Sequence, residues 1–202
     1  EKSGYCEYQH ALTAFSPTFE KIWHNVYSDN FMLRGILPIQ NGYIIFGSIS
    51  DESGGIHQYI ACLDTVGKYV WHHITPYKNA CYLDAIEADN EDIIVVGGVY
   101  AASDGTSFPT AQIACYSVDG EKKWEKEENY GELGILFDSI ASIPGGYIAA
   151  GANAVEKSSV RIVRYDENGT KVAAWDEPLN ENLNYVEHLE LQTMNGAVYL
   201  VV

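Results

Sequence analysis

An all-β chain built of repeated four-stranded units, a β-propeller, is the fold this sequence predicts. Three observations predict it. A short apolar run, a turn, a charged strand and one tryptophan recur four times, and the four tryptophans, Trp23, Trp71, Trp124 and Trp175, stand 48, 53 and 51 residues apart. Asn-Gly or Asp-Gly dipeptides fall at 41–42, 119–120, 168–169 and 195–196. Such pairs reach positive φ cheaply and are the strongest short-range hairpin signal. No long window carries apolar residues at helical spacing, so the strand period dominates throughout.

The elements follow in order. The chain opens with the third and fourth strands of a unit, at about 8–16 and 18–27. Three whole units follow, at about 31–75, 81–128 and 134–177, and the first two strands of a last unit occupy about 184–202. Within each unit an alternating strand such as FMLRGILPI leads through a turn to an apolar strand such as YIIFGS. The tryptophan hairpin then completes the sheet. A single four-stranded sheet has two faces to bury, and radial stacking buries both. About four blade equivalents result, in one propeller region spanning 1–202. The connection between the second and third strands varies most: 50–55, 101–110 and 155–159. Variable loops on one rim of a rigid scaffold are where binding is expected.

Composition narrows the partners. Twenty-eight acidic against twelve basic residues give a formal charge of −16, which repels nucleic acid and anionic lipid. No apolar run approaches the roughly 18 residues of a membrane span. Cys6, Cys62, Cys81 and Cys115 show neither CxxC spacing nor a vicinal pair. Buried free thiols are the simplest reading, and a Cys6–Cys81 link stays open.

The D-x-x-G-x-x-x-W pattern of Asp64–Trp71 resembles the tryptophan-docking repeat of quinoprotein-type propellers. Ser117–Trp124 carries it with Asp-Gly in the turn, and Asp166–Trp175 with longer spacing. The frames GYIIFGS and GGYIAAG followed by DENG resemble propeller repeats of secreted and surface-anchored bacterial proteins. The resemblance implies an extracytoplasmic location and a structural role for each tryptophan, packed between neighbouring blades. In that family the cofactor sits near a disulfide between adjacent cysteines and a calcium ion. This chain has no adjacent cysteines and no matching calcium set, so no cofactor or metal is called for.

Aligned across the repeats, Arg34, Asp84, Asp138 and Glu187 fall at one position of the first strand, the strand that lines a propeller's channel. Two residues on, Ile36, Ile86, Ile140 and Leu189 form an aliphatic series expected in the core. The charged ring reads as solvated side chains at the channel mouth, or as a site for a cation or polar ligand. His24 and His72 follow their tryptophans, with His73 adjacent, and adjacent strand residues point to opposite faces, which argues against shared metal binding. Asn168-Gly169-Thr170 is a glycosylation sequon that also serves as a hairpin turn. Nothing resembles a nucleophile elbow or phosphate loop.

The expected function is therefore a non-enzymatic scaffold or protein-binding module, a segment of a larger propeller completed by other polypeptide. The alternative is carbohydrate or small-ligand binding by one rim or the central channel, and a quinoprotein-type enzyme stands third. Pairing between strands 196–202 and 8–16 would instead close a four-bladed ring.

Overall fold

A computed structural model describes residues 10–27, 30–100, 108–153, 159–179 and 189–202. Every long element is a strand: β1 (His10–Phe15), β2 (Lys21–Tyr27), β3 (Phe31–Ile39), β4 (Gly42–Ser50), β5 (Ile56–Leu63), β6 (Tyr69–Ile74), β7 (Ala80–Glu87), β8 (Ile93–Val99), β9 (Thr110–Tyr116), β10 (Lys122–Glu128), β11 (Ser139–Ile143), β12 (Gly146–Ala152), β13 (Ser159–Tyr165), β14 (Lys171–Pro178), β15 (Glu190–Met194) and β16 (Ala197–Val201). They form three four-stranded antiparallel sheets, β3–β6, β7–β10 and β11–β14, and two hairpins, β1–β2 and β15–β16. These are the expected blades, about four equivalents in all.

The second strand of each whole blade is apolar on both faces because a neighbouring blade covers each one. Ile44, Ile45, Ile93 to Val96, Ala149 and Ala150 have no exposed surface. The faces sort into four clusters, one per blade junction. Between the first two whole blades a polar seam joins the apolar one. Gln58 Nε2 donates to Gln112 Oε1 (2.5 Å), and Gln112 Nε2 to Glu127 Oε1 (3.1 Å). Nearby, the Tyr82 and Tyr116 hydroxyls lie 3.0 Å apart.

The outer hairpin turns share one local device. The residue that opens the turn accepts backbone N–H groups two and four residues on: Asp64 Oδ1 from Val66 and Lys68, and Asp166 Oδ1 from Asn168 and Thr170. Ser16 Oγ does the same for Thr18 and Glu20. A glycine closes the turn at positive φ: Gly67 (76°), Gly120 (90°) and Gly169 (73°). Each carries the indole of the preceding blade on its Cα. A Cβ there would stand 2.8 Å from Trp23, 2.7 Å from Trp71 and 2.7 Å from Trp124. The indole nitrogens of Trp23 and Trp71 donate to Thr65 O (3.0 Å) and Val118 O (2.8 Å) of the same turns.

The fourth tryptophan breaks the pattern. Trp23, Trp71 and Trp124 pair with the residue two before the turn opener, namely Ala14, Cys62 and Cys115. Trp175 pairs with Ile162, four before Asp166, and Ala173 holds the position that faces a turn elsewhere. The longer spacing therefore moves Trp175 one pleat along β14, and it is 42% exposed. The expectation that all four tryptophans share one phase and are mostly buried is corrected: three are partly buried against the next blade and one is not.

Cys62, Cys81 and Cys115 are buried free thiols. Cys6 and most of the variable loops 101–110 and 155–159 lie outside the described residues. β16 pairs with β15 and β1 with β2, and the two hairpins share no ladder among the described residues.

Candidate functional site

The innermost strands β3, β7, β11 and β15 present the candidate residues. Counted from the turn that follows each of them, Gly35, Asp84, Ser139 and Glu190 are equivalent, paired with Phe46, Val96, Ala150 and Val201. Arg34 and Asp138 stand one residue earlier. The charged ring is thus not one position, and this corrects the alignment of Arg34, Asp84 and Asp138. The cause is local. β3 and β7 bulge at equivalent places, Arg34 and Leu83, and it is the longer turn after β7, closed by Ala88 N–H on Asp92 O, that sets Asp84 one step off. Glu187 lies outside the described residues.

The aliphatic series divides too. Ile140 (2%) and Leu189 (4%) are core, Ile86 is partly buried, and Ile36 is 45% exposed. Ile36 pairs with Ile45, on the face turned towards the β1–β2 hairpin, which covers the outer strands of that blade but not β3 at Ile36.

Asp84 is the most enclosed of the charged candidates. Its Oδ2 accepts from Ser139 Oγ (2.8 Å) and Ile140 N (3.0 Å), and its Oδ1 from Ala85 N (2.8 Å). Ser139 Oγ in turn accepts from Leu191 N (3.1 Å), so one chain of bonds ties β7, β11 and β15 together. Burial pushes the Asp84 carboxyl above its ordinary pKa against these bonds, and Glu190 adds to the rise. Asp138 Oδ2 accepts from Ala152 N (3.2 Å).

Arg34 belongs to a different place. It lines a depression of about 510 Å³ at the rim of the variable loops, between the first two whole blades, with Met32, Ser48, Asn79, Cys81 and Tyr100. Tyr100 is 39% exposed there. Burial raises its hydroxyl pKa, with the Cys81 thiol and Asp138 reinforcing the rise and the Arg34 guanidinium opposing it. Arg34, Tyr100 and Asp138 therefore share one electrostatic neighbourhood. Among the described residues no carboxylate lies within ion-pair distance of Arg34. In a chain of net charge −16, a guanidinium without an acidic partner among the described residues, beside an aromatic ring and a carboxamide, is a ready hydrogen-bonding site.

Sequence reasoning did not find Tyr100, Asn79, Ser139 or Glu190. Tyr100 follows the apolar strand IIVVGGV directly, and its place at the variable rim was the available signal.

Elsewhere the histidines have ordinary partners. His24 Nδ1 is 2.8 Å from Thr13 Oγ1, and His72 stacks on Tyr59. His73 Nε2 meets the Gly120 carbonyl at 2.5 Å. Among the described residues no group of three or more His, Cys, Asp or Glu is arranged to hold a metal ion. No helix among them is long and apolar enough to cross a membrane.

These sheets, stacked face to face about an inner row of strands, make the chain a β-propeller. No family model matches it, and no curated protein matches it. Solved structures do. A GH43_1 enzyme from Xanthomonas citri, complexed with xylose, aligns with TM-score 0.52 at 11% identity over 82% of this chain and 60% of its own. A GH43 β-xylosidase/α-arabinofuranosidase from a compost microbial metagenome, in complex with xylotriose and in calcium-free form, aligns with TM-score 0.52 at 14% identity. It covers 85% of this chain and 66% of its own. The chain thus spans about 60 to 66% of the length of these propellers, and the likeness at such identity is one of fold. Two expectations are corrected by it. These neighbours are glycosidase propellers rather than quinoproteins, and they overturn the reading of a non-enzymatic scaffold or protein-binding module.

Proposed function

We propose that the chain recognises a short oligosaccharide at the rim depression holding Arg34 and Tyr100. The observation that carries this reading is the meeting of Arg34, which has no acidic partner among the described residues, with a half-exposed aromatic ring across a blade boundary. Sugars present hydroxyls around an apolar ring face. A guanidinium and a carboxamide offer fixed donors to the hydroxyls, and a tyrosine ring offers a flat surface to the C–H face. Asn79 and Ser48 complete the donor set. The xylose and xylotriose held by the two similar propellers support a pentose-based ligand.

Titration calorimetry with xylotriose is the test. Arg34→Ala and Tyr100→Ala are each expected to weaken binding about tenfold, the loss of one good polar or stacking contact. Binding that both substitutions leave unchanged, or no binding to any neutral oligosaccharide at millimolar concentration, would sink the proposal.

A second reading, glycoside hydrolysis, is favoured by one observation. Asp84 carries a raised carboxyl pKa and Glu190 lies near enough to add to it, on inner strands of the same propeller. Paired carboxyl groups of which one stays protonated are what acid-assisted glycoside cleavage needs. Release of nitrophenol from a nitrophenyl xyloside, lost in both Asp84→Asn and Glu190→Gln, is the expected result on this reading. An equal rate in wild type and both variants would exclude it.

A further inference from the structure

A second depression, of about 210 Å³, lies between the second and third whole blades, on the rim opposite the variable loops. Three turns meet there. The β7–β8 turn brings Asp89 and Asn90, the β11–β12 turn leads into Tyr147, and the β13–β14 turn brings Glu167.

Two of these residues depart from the repeat. Tyr147 pairs with Tyr165, the residue before the turn opener Asp166. In the preceding blade Ile93 holds that place, paired with Tyr116. Glu167 follows the opener, where Val118 and Thr65 stand in the other whole blades. Ile93 is fully buried, so packing at this place asks for no hydroxyl. Tyr147 is 5% exposed with its ring in the junction cluster, yet its hydroxyl has no hydrogen-bond partner among the described residues. A buried hydroxyl left without a partner is costly, and a group bound in the depression would supply one.

The charges that face this hydroxyl are acidic. Burial pushes its pKa up to about 12, and the Cys115 thiol, Asp92, Glu167 and Asp89 add to the rise. Asp92 is already paired, with Lys123 Nζ 2.6 Å from one carboxylate oxygen and 2.7 Å from the other. Asp89 and Glu167 are exposed and have no cationic partner among the described residues. The wall that bears Asp89 is held in shape beforehand. Ala88 N–H donates to Asp92 O (2.7 Å), and Asn90 Nδ2 to Asp92 Oδ2 (2.8 Å).

We infer that this depression binds the guanidinium group of an arginine side chain, between Asp89 of one blade and Glu167 of the next, with the Tyr147 hydroxyl beneath it. A guanidinium carries its donors in one plane and serves two carboxylates and a hydroxyl at once. It is weakly hydrated and tolerates the apolar wall that Ile143 gives. An ammonium is a compact, strongly hydrated charge and suits such a wall less well. A hard divalent cation needs more oxygen ligands, and among the described residues no group of three or more His, Cys, Asp or Glu is arranged to hold one. The site is independent of the rim depression that holds Arg34.

Titration of the chain with N-ethylguanidinium, followed by nuclear magnetic resonance, tests this. Saturable shifts are expected at the amides of Asn90, Gly145 and Gly146. Glu167→Gln and Asp89→Asn are each expected to weaken binding about tenfold, and ethylammonium to bind about tenfold more weakly than N-ethylguanidinium. Both carboxylates are exposed, so these variants keep the fold, which unchanged resonances elsewhere would verify. Tyr147→Phe keeps the ring and is expected to weaken binding about threefold. The peptide acetyl-Gly-Arg-Gly-amide is the second arm. Binding about tenfold tighter than N-ethylguanidinium assigns the arginine to a protein segment, and equal binding assigns the site to the free head group. No saturable shift at these amides with millimolar amounts of either compound overturns the inference. Unchanged affinity in Glu167→Gln and Asp89→Asn, equal binding of ethylammonium, or calcium that displaces N-ethylguanidinium from the site does the same.

Discussion

Truncating Trp71 to alanine is expected to lower the free energy of unfolding by about 3 kcal/mol, and truncating Trp175 by less than about 0.5 kcal/mol. The same substitution at two members of one repeat series thus separates two roles. The Trp71 indole lies on Gly120, donates to Val118 O at 2.8 Å, and stacks on Tyr116 with ring planes 20° apart. It packs against a cluster that includes Ile94's neighbours Ile93 and Val95 from the second whole blade and Ile44 and Ile60 from the first. Its loss opens a gap at a blade junction that two rigid sheets cannot close, so the cavity cost adds to the transfer cost. Among the described residues no turn lies beneath Trp175. Urea unfolding measures both. Equal losses for the two variants would show that the indole-on-glycine contact is not what holds the blades.

The blades were legible in the sequence because their signals are local. A dipeptide such as Asn168-Gly169 fixes a turn within four residues, and the donors and acceptors that hold it lie in the same stretch. The strand period and the tryptophan count then give the repeat. Phase within a strand was less legible. Asp166–Trp175 is two residues longer than Asp64–Trp71, and only the ladder shows that Ala173, not Trp175, faces the next turn. The same holds for the charged residues. Arg34 and Asp84 stand near the same height in the repeat, but the longer turn before Asp92 sets them one step apart. The rim depression was legible only as a place. That Tyr100 and Arg34 meet there depends on how two blades stack, and residues 66 apart carry no mutual signal in one sequence.

Asp84→Ala is expected to cost about 3 kcal/mol, because it strands donors on two blades at once. The Ala85 N–H, the Ile140 N–H and the Ser139 hydroxyl all point at the Asp84 carboxylate. Ser139 also receives Leu191 N–H, so the loss reaches β15. Asp84→Asn keeps the volume but presents an NH₂ where an oxygen accepted, so it is expected to cost about 2 kcal/mol. The pH dependence has a definite sign. Burial holds the native carboxyl pKa above that of the unfolded chain, so the native state binds the proton more tightly. The stabilisation from this linkage is present in full below the unfolded carboxylate pKa and is lost as pH rises through the raised native value. Asp84→Asn cannot ionise, so its penalty relative to wild type should be largest at low pH and shrink as pH climbs through that window. Unfolding free energies of wild type and variant, measured in urea at a series of pH values from acid to neutral, give the difference directly. A penalty that grows with pH would mean that the hydrogen bonds from Ser139, Ile140 and Ala85 outweigh burial and hold the native carboxyl below its ordinary pKa.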